Sequence, residues 1–166
     1  MEIERKFLVK KMPELSGLRV KHIEQGYLCE EGITLRVRAV TEGDRRSYIL
    51  TYKERVRHTG TARVHREEEF EIPEESFRHL YAKADGYRII KDRYLIPLPE
   101  SGTGIPGLTA ELDVFHGVHE GIVIAEVEFP DEDSAERFTA PDWFGGDVSG
   151  ESRYTNSCMV FEAYKA

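Results

Sequence analysis

Hydrophobic and polar residues alternate with a period of two along most of this chain. Successive side chains of a β-strand point to opposite faces, so each such stretch predicts a strand with one apolar and one polar face. Turn residues such as Gly, Pro and Asp separate the stretches. The alternation predicts eight strands, near residues 2–9, 21–29, 34–40, 47–55, 64–72, 87–96, 109–116 and 122–129.

Helical spacing appears in three places. After Pro73, apolar residues at i, i+3, i+4 and i+7 are Phe77, Leu80, Tyr81 and Ala84. Further helices are predicted around 132–139 and 155–164, the last with Thr155 as its N-cap. Short consecutive strands indicate an antiparallel sheet, and eight of them favour closure, which removes exposed edges. The expected fold is mainly β (α+β), a closed eight-stranded antiparallel β-barrel with a few helices packed outside.

Length and composition narrow the class of protein. A chain of 166 residues with 40% hydrophobic content can bury one core, which predicts a single domain over residues 1–166. The formal charge of -8 argues against a general nucleic-acid-binding protein, which needs a basic surface. There is no long uncharged apolar run, and the charges at the N-terminus argue against a secretory signal. We therefore expect a cytoplasmic protein that binds neither nucleic acid nor membrane.

Charged residues occupy alternate positions on the polar faces of seven predicted strands. The acidic positions are Glu2, Glu4, Glu67, Glu69, Glu71, Glu111, Asp113, Glu126 and Glu128. The basic positions are Lys6, Arg36, Arg38, Lys53, Lys91 and Arg93. Acids share a face with acids in four strands, whereas surface ion pairing favours strands that mix the two signs. The charges either face solvent around a β-sandwich or converge inside a closed barrel, and their segregation favours the barrel.

A barrel interior lined by these side chains predicts two kinds of ligand. So many carboxylates cannot stay ionised together without cations, and hard divalent ions such as Mg²⁺ or Mn²⁺ take oxygen ligands. The bases suit an anion with many oxygens, because a guanidinium group binds phosphate through two hydrogen bonds. An eight-stranded barrel has room for one small ligand. A metal ion together with a polyphosphate therefore satisfies both sets of charges.

Short motifs that contain these charges follow one another over nearly the whole chain. They are ExExK at Glu2, Glu4 and Lys6, then LRVR, TYK, EFEIP, the KxR of Lys91 and Arg93, ELD and AEVEF, with DVSGESRYTNSCM near the end. The ordered series resembles the CYTH superfamily, the triphosphate tunnel metalloenzymes, and in particular its short bacterial members. The resemblance implies an eight-stranded antiparallel tunnel that binds a triphosphate with Mg²⁺ or Mn²⁺.

The resemblance also implies roles for individual positions. Phosphate oxygens would be bound by Lys6, Arg36, Arg38, Lys53, Lys91 and Arg93. Metal would be held by Glu2, Glu4, Glu126 and Glu128, supported by Glu69, Glu71, Glu111 and Asp113. The candidate catalytic residues are Lys6, Tyr27, Lys53 and Glu128. Tyr27 either positions a lysine or water through its hydroxyl or is a half-buried strand tyrosine, and the extra acid Glu67 leaves the ligands of its strand open.

The expected activity is metal-dependent hydrolysis of a triphosphate by metal-activated water, with inorganic tripolyphosphate converted to pyrophosphate and phosphate. Phosphoryl transfer depends mostly on positioning and charge neutralisation, which this set of charges provides. Three alternatives stay open: a class IV-type adenylyl cyclase that forms cyclic AMP and pyrophosphate from ATP, a thiamine triphosphatase, and a non-catalytic polyphosphate-binding module. The expected partner is the small-molecule triphosphate, and a homodimer stays open.

Two other features of the chain predict no chemistry. The GxGxxG of Gly102, Gly104 and Gly107 lies in a predicted loop, and strand-like sequence follows where a dinucleotide site needs a helix. His116 and His119 lack the same-face spacing of a metal-ligand pair. We expect both features to be structural.

Overall fold

The computed structural model describes residues 2–29, 32–58 and 62–162. Its strands are β1 (Glu2–Val9), β2 (Arg19–Cys29), β3 (Thr34–Glu42), β4 (Arg45–His58), β5 (Arg63–Glu71), β6 (Asp85–Pro97), β7 (Thr109–Phe115), β8 (Val123–Glu128) and β9 (Phe144–Asp147). Its helices are α1 (Glu74–Ala82), α2 (Glu100–Thr103), α3 (Glu132–Arg137) and α4 (Asn156–Met159), with 3-10 turns at Gly117–His119 and Ser152–Tyr154. All eight predicted strands are present, and their ends lie within three residues of the predicted ones.

The first eight strands close into an antiparallel barrel. The strand order is β5-β4-β3-β2-β6-β7-β8-β1-β9, and β5 pairs with β1 to complete the circle. Glu2 lies opposite His65 and Glu4 opposite Arg63 at this closing pair. The predicted closed eight-stranded antiparallel barrel is therefore confirmed.

The ninth strand was not predicted, and it shares an edge of β1. The first half of β1 pairs with β5, whereas Phe7 and Val9 pair with β9. Between the two pairings, the Lys6 amide donates to Ser149 Oγ at 2.9 Å and the Val148 amide donates to the Lys6 carbonyl at 2.8 Å. The strand FGGD has two glycines among its four residues, so it has no alternating pattern from which to predict it.

Apolar side chains cover the outside of the barrel wall. On β1, Phe7 packs against Phe138 and Phe144 with ring centroids 5.8 and 4.9 Å away. On β3, the buried residue Val37 packs against Phe77 of α1. Because neighbouring residues of a strand point to opposite faces, the charged residues of the same strands face the interior.

A short C-terminal segment, residues 156–160, forms one end wall of the interior, and we call it the plug. Interior-facing residues of β2, β6, β7 and β8 form an apolar cluster with Met159 and Val160. The Val160 carbonyl accepts from the Tyr87 amide at 2.6 Å, and the Met159 carbonyl accepts from His119 Nε2 at 2.6 Å. The plug is thus held by hydrogen bonds to β6 and to the 3-10 turn between β7 and β8, as well as by apolar contact.

The three predicted helices lie where the sequence places them, but they are shorter than predicted. Thr155 is the predicted N-cap of α4, and its Oγ1 accepts from the Cys158 amide at 3.2 Å. The helix predicted over 155–164 nevertheless ends at Met159. The carbonyls of Met159 and Val160 accept hydrogen bonds from His119 and Tyr87 and so do not continue the helix. Residues 163 and 164 of that prediction lie outside the described residues.

The other helix predictions differ from the structure in smaller ways. The helix predicted over 132–139 ends at Arg137, and α1 ends at Ala82, before Ala84. One turn of helix, α2, forms inside the predicted Gly-rich loop. No described helix has the length and apolarity to span a bilayer.

The contact between Gly86 and the plug predicts a stability difference between two glycine substitutions. Gly86 has a φ of 59°, and a Cβ there would overlap the Val160 carbonyl oxygen. Gly43 has a φ of 57° with nothing within 4 Å of the same position. We expect Gly43→Ala to cost about 1 kcal/mol from its backbone alone. Gly86→Ala should lower the free energy of unfolding further, measured by urea denaturation, and an equal loss in both variants would contradict this packing.

Candidate functional site

The inward faces of the barrel strands enclose a cavity of about 960 Å³. All eight barrel strands contribute lining residues, and the plug residues Asn156, Ser157 and Cys158 form part of its wall. The lining is dominated by charged side chains. The cavity is therefore a polar compartment in which anion-binding and cation-binding groups lie together.

All six predicted phosphate-binding bases line this cavity. They are Lys6, Arg36, Arg38, Lys53, Lys91 and Arg93. Their side chains are between 2% and 15% exposed, so little of their charge is screened by bulk water. Each of them has at least one acidic partner within 4.0 Å.

One group of ion pairs joins β1, β6, β7 and β8. Asp113 is fully buried and accepts from Lys91 Nζ and Arg93 Nε, each at 2.6 Å. Glu126 accepts from Lys6 Nζ at 2.7 Å and from Arg93 at 3.0 Å. Although burial opposes it, these two bases hold the pKa of Glu126 well below its usual range. Asp113 does not line the cavity, so the structure places this predicted metal residue behind the bases as their counter-ion.

A second group of ion pairs surrounds Lys53 on β4. Its Nζ lies 2.6 Å from Glu2, 3.2 Å from Glu67 and 3.9 Å from Glu4. Burial opposes the charged form, but Glu4 and Glu2 raise the pKa of Lys53 above its ordinary value. Burial also opposes the ionised form of Glu67, yet Arg36 and Lys53 lower its pKa to about 2. The extra in-phase acid of the sequence is thus an internal counter-ion for two bases.

Two guanidinium groups on β3 keep donors without an acceptor. Arg36 Nε and Arg38 Nε are buried and have no hydrogen-bond partner among the described residues. Burial and the neighbouring charge of Arg36 lower the pKa of Arg38 to about 10. Buried donors are nearly always hydrogen-bonded in proteins, so an unused pair facing a cavity indicates a ligand with acceptor oxygens.

Acidic groups also lie opposite one another on neighbouring strands. Glu4 lies directly opposite Glu128, and Glu111 lies opposite Glu126. In the described parts of the chain no Lys, Arg or His lies within 4.0 Å of Glu128, and burial together with Glu111 and Glu4 raises its pKa. Burial also raises the pKa of Glu2 to about 7, against the effect of Lys53. Like charges opposite each other are destabilising, so a cation fits between these groups.

The carboxylates do not, however, form a ready metal cage. Within residues 2–29, 32–58 and 62–162, no three His, Cys, Asp or Glu side chains converge in a geometry that could hold a metal ion. Glu69 pairs with Arg38 and is 42% exposed. Glu71 is exposed on β5 and lies outside the cavity lining. Its predicted part in a metal site stays a prediction.

Tyr27 is buried and lines the cavity beside the plug. Its hydroxyl accepts from Gln25 Nε2 at 3.2 Å. Burial lowers the pKa of Arg36, but contact with Tyr27 and Glu67 raises it above the ordinary value. Tyr27 is thus fully buried and not half-buried, and the charged cavity residue that it contacts is Arg36; its predicted positioning of a lysine or water stays a prediction.

Three features of the cavity were missed from the sequence. His65 lies 3.9 Å from Glu2, and burial with the charge of Lys53 lowers its pKa to about 4. Arg63 donates to the carbonyls of Ser149 and Glu151 and so holds the chain that leads to the plug. Arg63 and His65 alternate in phase with the acids of β5, so extending the two-residue pattern towards the start of that strand would have identified both as cavity residues. The third feature is the plug, and no pattern in the sequence indicates that it forms part of the cavity wall.

Comparison with known proteins agrees with this geometry. A family model of the CYTH domain matches residues 1–151. A protein of Nitrosomonas europaea named inorganic triphosphatase is 35% identical over 159 residues, covering 96% of each chain. One of Acetivibrio thermocellus with the same name is 35% identical over 175 residues, covering 99% of this chain and 96% of that protein. A crystal structure of an inorganic triphosphatase superposes with a TM-score of 0.67 at 35% identity, over 98% of this chain and 95% of that one.

The two glutamates of β8 predict opposite effects on stability without metal. Glu128→Gln removes a charge that faces Glu4 and has no described basic partner, so we expect stability in EDTA at least equal to wild type. Glu126→Gln leaves Lys6 and Arg93 short of an acid, which should cost about 3 kcal/mol. Urea denaturation in EDTA compares the two variants on the same strand. A Glu128→Gln protein that is the less stable of the pair would refute this charge arrangement.

Proposed function

The chain belongs to the CYTH domain family, and on this premise we propose that it hydrolyses inorganic tripolyphosphate to pyrophosphate and phosphate. Two relatives that match it over nearly its whole length are named inorganic triphosphatase. The observation that carries the proposal is the pair of buried donors, Arg36 Nε and Arg38 Nε, that find no acceptor among the described residues. A bound polyanion supplies those acceptors.

The substrate is bound by the six bases of the cavity. Guanidinium groups donate to two oxygens of one phosphoryl group, and lysines act as compact charges between phosphoryl groups. Because each base already has an acidic partner, its side chain is positioned before the substrate arrives. Such preorganised charge stabilises the developing negative charge of phosphoryl transfer without further rearrangement.

The proposed metal ligands are carboxylates that lie close to other carboxylates, although Lys53 also contacts Glu2 and Glu4. Glu2, Glu4 and Glu128 fit Mg²⁺ or Mn²⁺ best, because they are oxygen donors crowded by like charges. Glu126 remains a ligand candidate on the same face, although Lys6 and Arg93 occupy it here. Glu2, Glu4 and Glu128 would hold a divalent ion, which would supply positive charge beside the phosphate oxygens and lower the pKa of a bound water.

The chain's own groups then divide the remaining work. Glu128, whose raised pKa makes its carboxylate a stronger base, accepts a proton from the attacking water. Lys6 and Lys53, on β1 and β4, bind the phosphate oxygens whose charge increases during the reaction. Tyr27 keeps Arg36 oriented through its hydroxyl.

Phosphate binding is tested with the two arginines of β3. Arg36→Ala or Arg38→Ala should raise the Kd for tripolyphosphate at least tenfold, because a hydrogen bond to a charged group contributes about 1.5 to 3 kcal/mol. Calorimetric titration measures the Kd, and circular dichroism checks the fold. Arg78→Ala is the matched control, since Arg78 is 75% exposed on α1 and pairs only with Glu74 among the described residues. Wild-type affinity in both cavity variants would refute the proposed binding site.

Metal dependence is tested by removing and restoring divalent ions. Turnover of tripolyphosphate should be absent in EDTA and return with Mg²⁺ or Mn²⁺, whereas Ca²⁺ should support little activity. Ca²⁺ accepts longer bonds and looser geometry, so it positions an attacking water less well. Chromatography of the products distinguishes pyrophosphate and phosphate from other outcomes. Full turnover in EDTA would eliminate the metal mechanism.

A further inference from the structure

The end of the cavity away from the plug is a mouth formed by β2, β3 and β4. Tyr27 belongs to the apolar cluster at the plug, and Lys21 lies six residues before it on β2, about 20 Å away at roughly 3.3 Å per residue. Lys21 and Arg45 both line the cavity there. These two residues, with the wall beside them, have no part in the function proposed above.

Lys21 and Arg45 differ from the six predicted phosphate-binding bases in having no acidic partner among the described residues. Each of the six predicted phosphate-binding bases has a carboxylate within 4.0 Å. In the described segments of the chain, neither Lys21 nor Arg45 has one. Glu42 lies opposite Arg45 in the sheet, yet its carboxylate lies 2.7 Å from Arg19. Within the described residues the mouth therefore has two positive charges without a carboxylate partner, on the half-buried Lys21 and the exposed Arg45.

The position of Lys21 connects this mouth to the phosphate-binding bases. Lys21 lies directly opposite Arg93 on the neighbouring strand. Side chains at directly opposed positions stand on the same face of the sheet and close together. A phosphate chain held by Arg93 thus needs only one further cross-strand step to reach Lys21.

The wall between these charges is largely aliphatic. Ile23, Val40 and Ile49 line the cavity there, together with Ser47 and with Glu42, whose carboxylate is paired with Arg19. A low-dielectric wall concentrates the field of nearby charges towards a bound anion. An uncharged organic substituent could also pack against these aliphatic side chains, but it would not pair with the two positive charges of Lys21 and Arg45. The charges favour a further anionic group over an organic one.

We propose that Lys21 and Arg45 form a further phosphate subsite, which lets the cavity take linear polyphosphates of four or more phosphoryl groups. This proposal rests on the triphosphatase function proposed above. Water attacks a terminal phosphorus, the bridging P–O bond breaks, and the shortened chain leaves with the bridging oxygen. Tetrapolyphosphate and water thus give tripolyphosphate and phosphate, and the proton from water passes through Glu128 to solvent. No other reactant is needed.

The test compares chain lengths in a double variant, Lys21→Met with Arg45→Met, which removes both charges and keeps most of the side-chain volume. We expect its kcat/KM for tetrapolyphosphate to fall about tenfold or more, as for the loss of charge-assisted hydrogen bonds. Its kcat/KM for tripolyphosphate should stay within about twofold of wild type. The matched control, Arg66→Met with Arg78→Met, removes two charges from the outer surface and should change neither value.

Calorimetric titration of both polyphosphates, with metal removed, separates this proposal from the proposed function. If wild type turns over neither compound, the triphosphatase proposal fails, but a selective loss of tetrapolyphosphate affinity in the double variant still supports the subsite. Equal losses for both chain lengths, or no loss for either, would overturn the subsite. A change in ATP turnover without a change for tetrapolyphosphate would show that the mouth binds an organic group, and it would overturn the subsite as well.

Discussion

The need to neutralise buried charge governs this structure. A charge taken out of water is costly unless a partner of opposite sign accompanies it. Inside the barrel Asp113 holds Lys91 and Arg93, and Lys53 lies among three glutamates. Among the described residues, Arg36 and Arg38 each have an acidic partner but keep an unused hydrogen-bond donor at Nε, and Glu128 has no basic partner. An anion that accepts those hydrogen bonds and a cation beside Glu128 are the ligands that would complete the arrangement.

The same constraint determines where the apolar core lies. Because the interior of the barrel is occupied by charges, the hydrophobic faces of the strands lie on the outside and need a cover. Helix α1 provides it for Val37 through Phe77, and the chain after β8 provides it for Phe7 through Phe138 and Phe144. The plug end has an apolar interior, where Met159 and Val160 meet the strands, and aliphatic residues also line part of the wall at the mouth. The protein thus holds a charged cavity between an outer hydrophobic layer and an apolar end wall.

Much of the site could be predicted because its residues alternate along single strands. Arg36 and Arg38 share a face by simple spacing, and the structure places both in the cavity. The partner of each charge was less predictable, since Lys53 meets Glu2 across 51 positions of sequence. Glu71 shows the limit of phase as a guide: it is in phase with Glu69 but lies exposed, outside the cavity lining. The phase of the two-residue alternation predicts which face of a strand a side chain occupies, but it does not predict where along the barrel axis that side chain lies.

The sequence by itself determined the strands, their two faces and the segregation of charge, because these follow from a period of two that is local to each strand. The tertiary structure alone decided which base meets which acid, because strand order and register bring distant residues together. It also decided the position of β9 and the plug. The Ser149 hydroxyl and the Val160 carbonyl hold those segments through partners on β1 and β6, and no local pattern specifies such bonds. Closure of the barrel turned a repeated pattern on separate strands into one cavity.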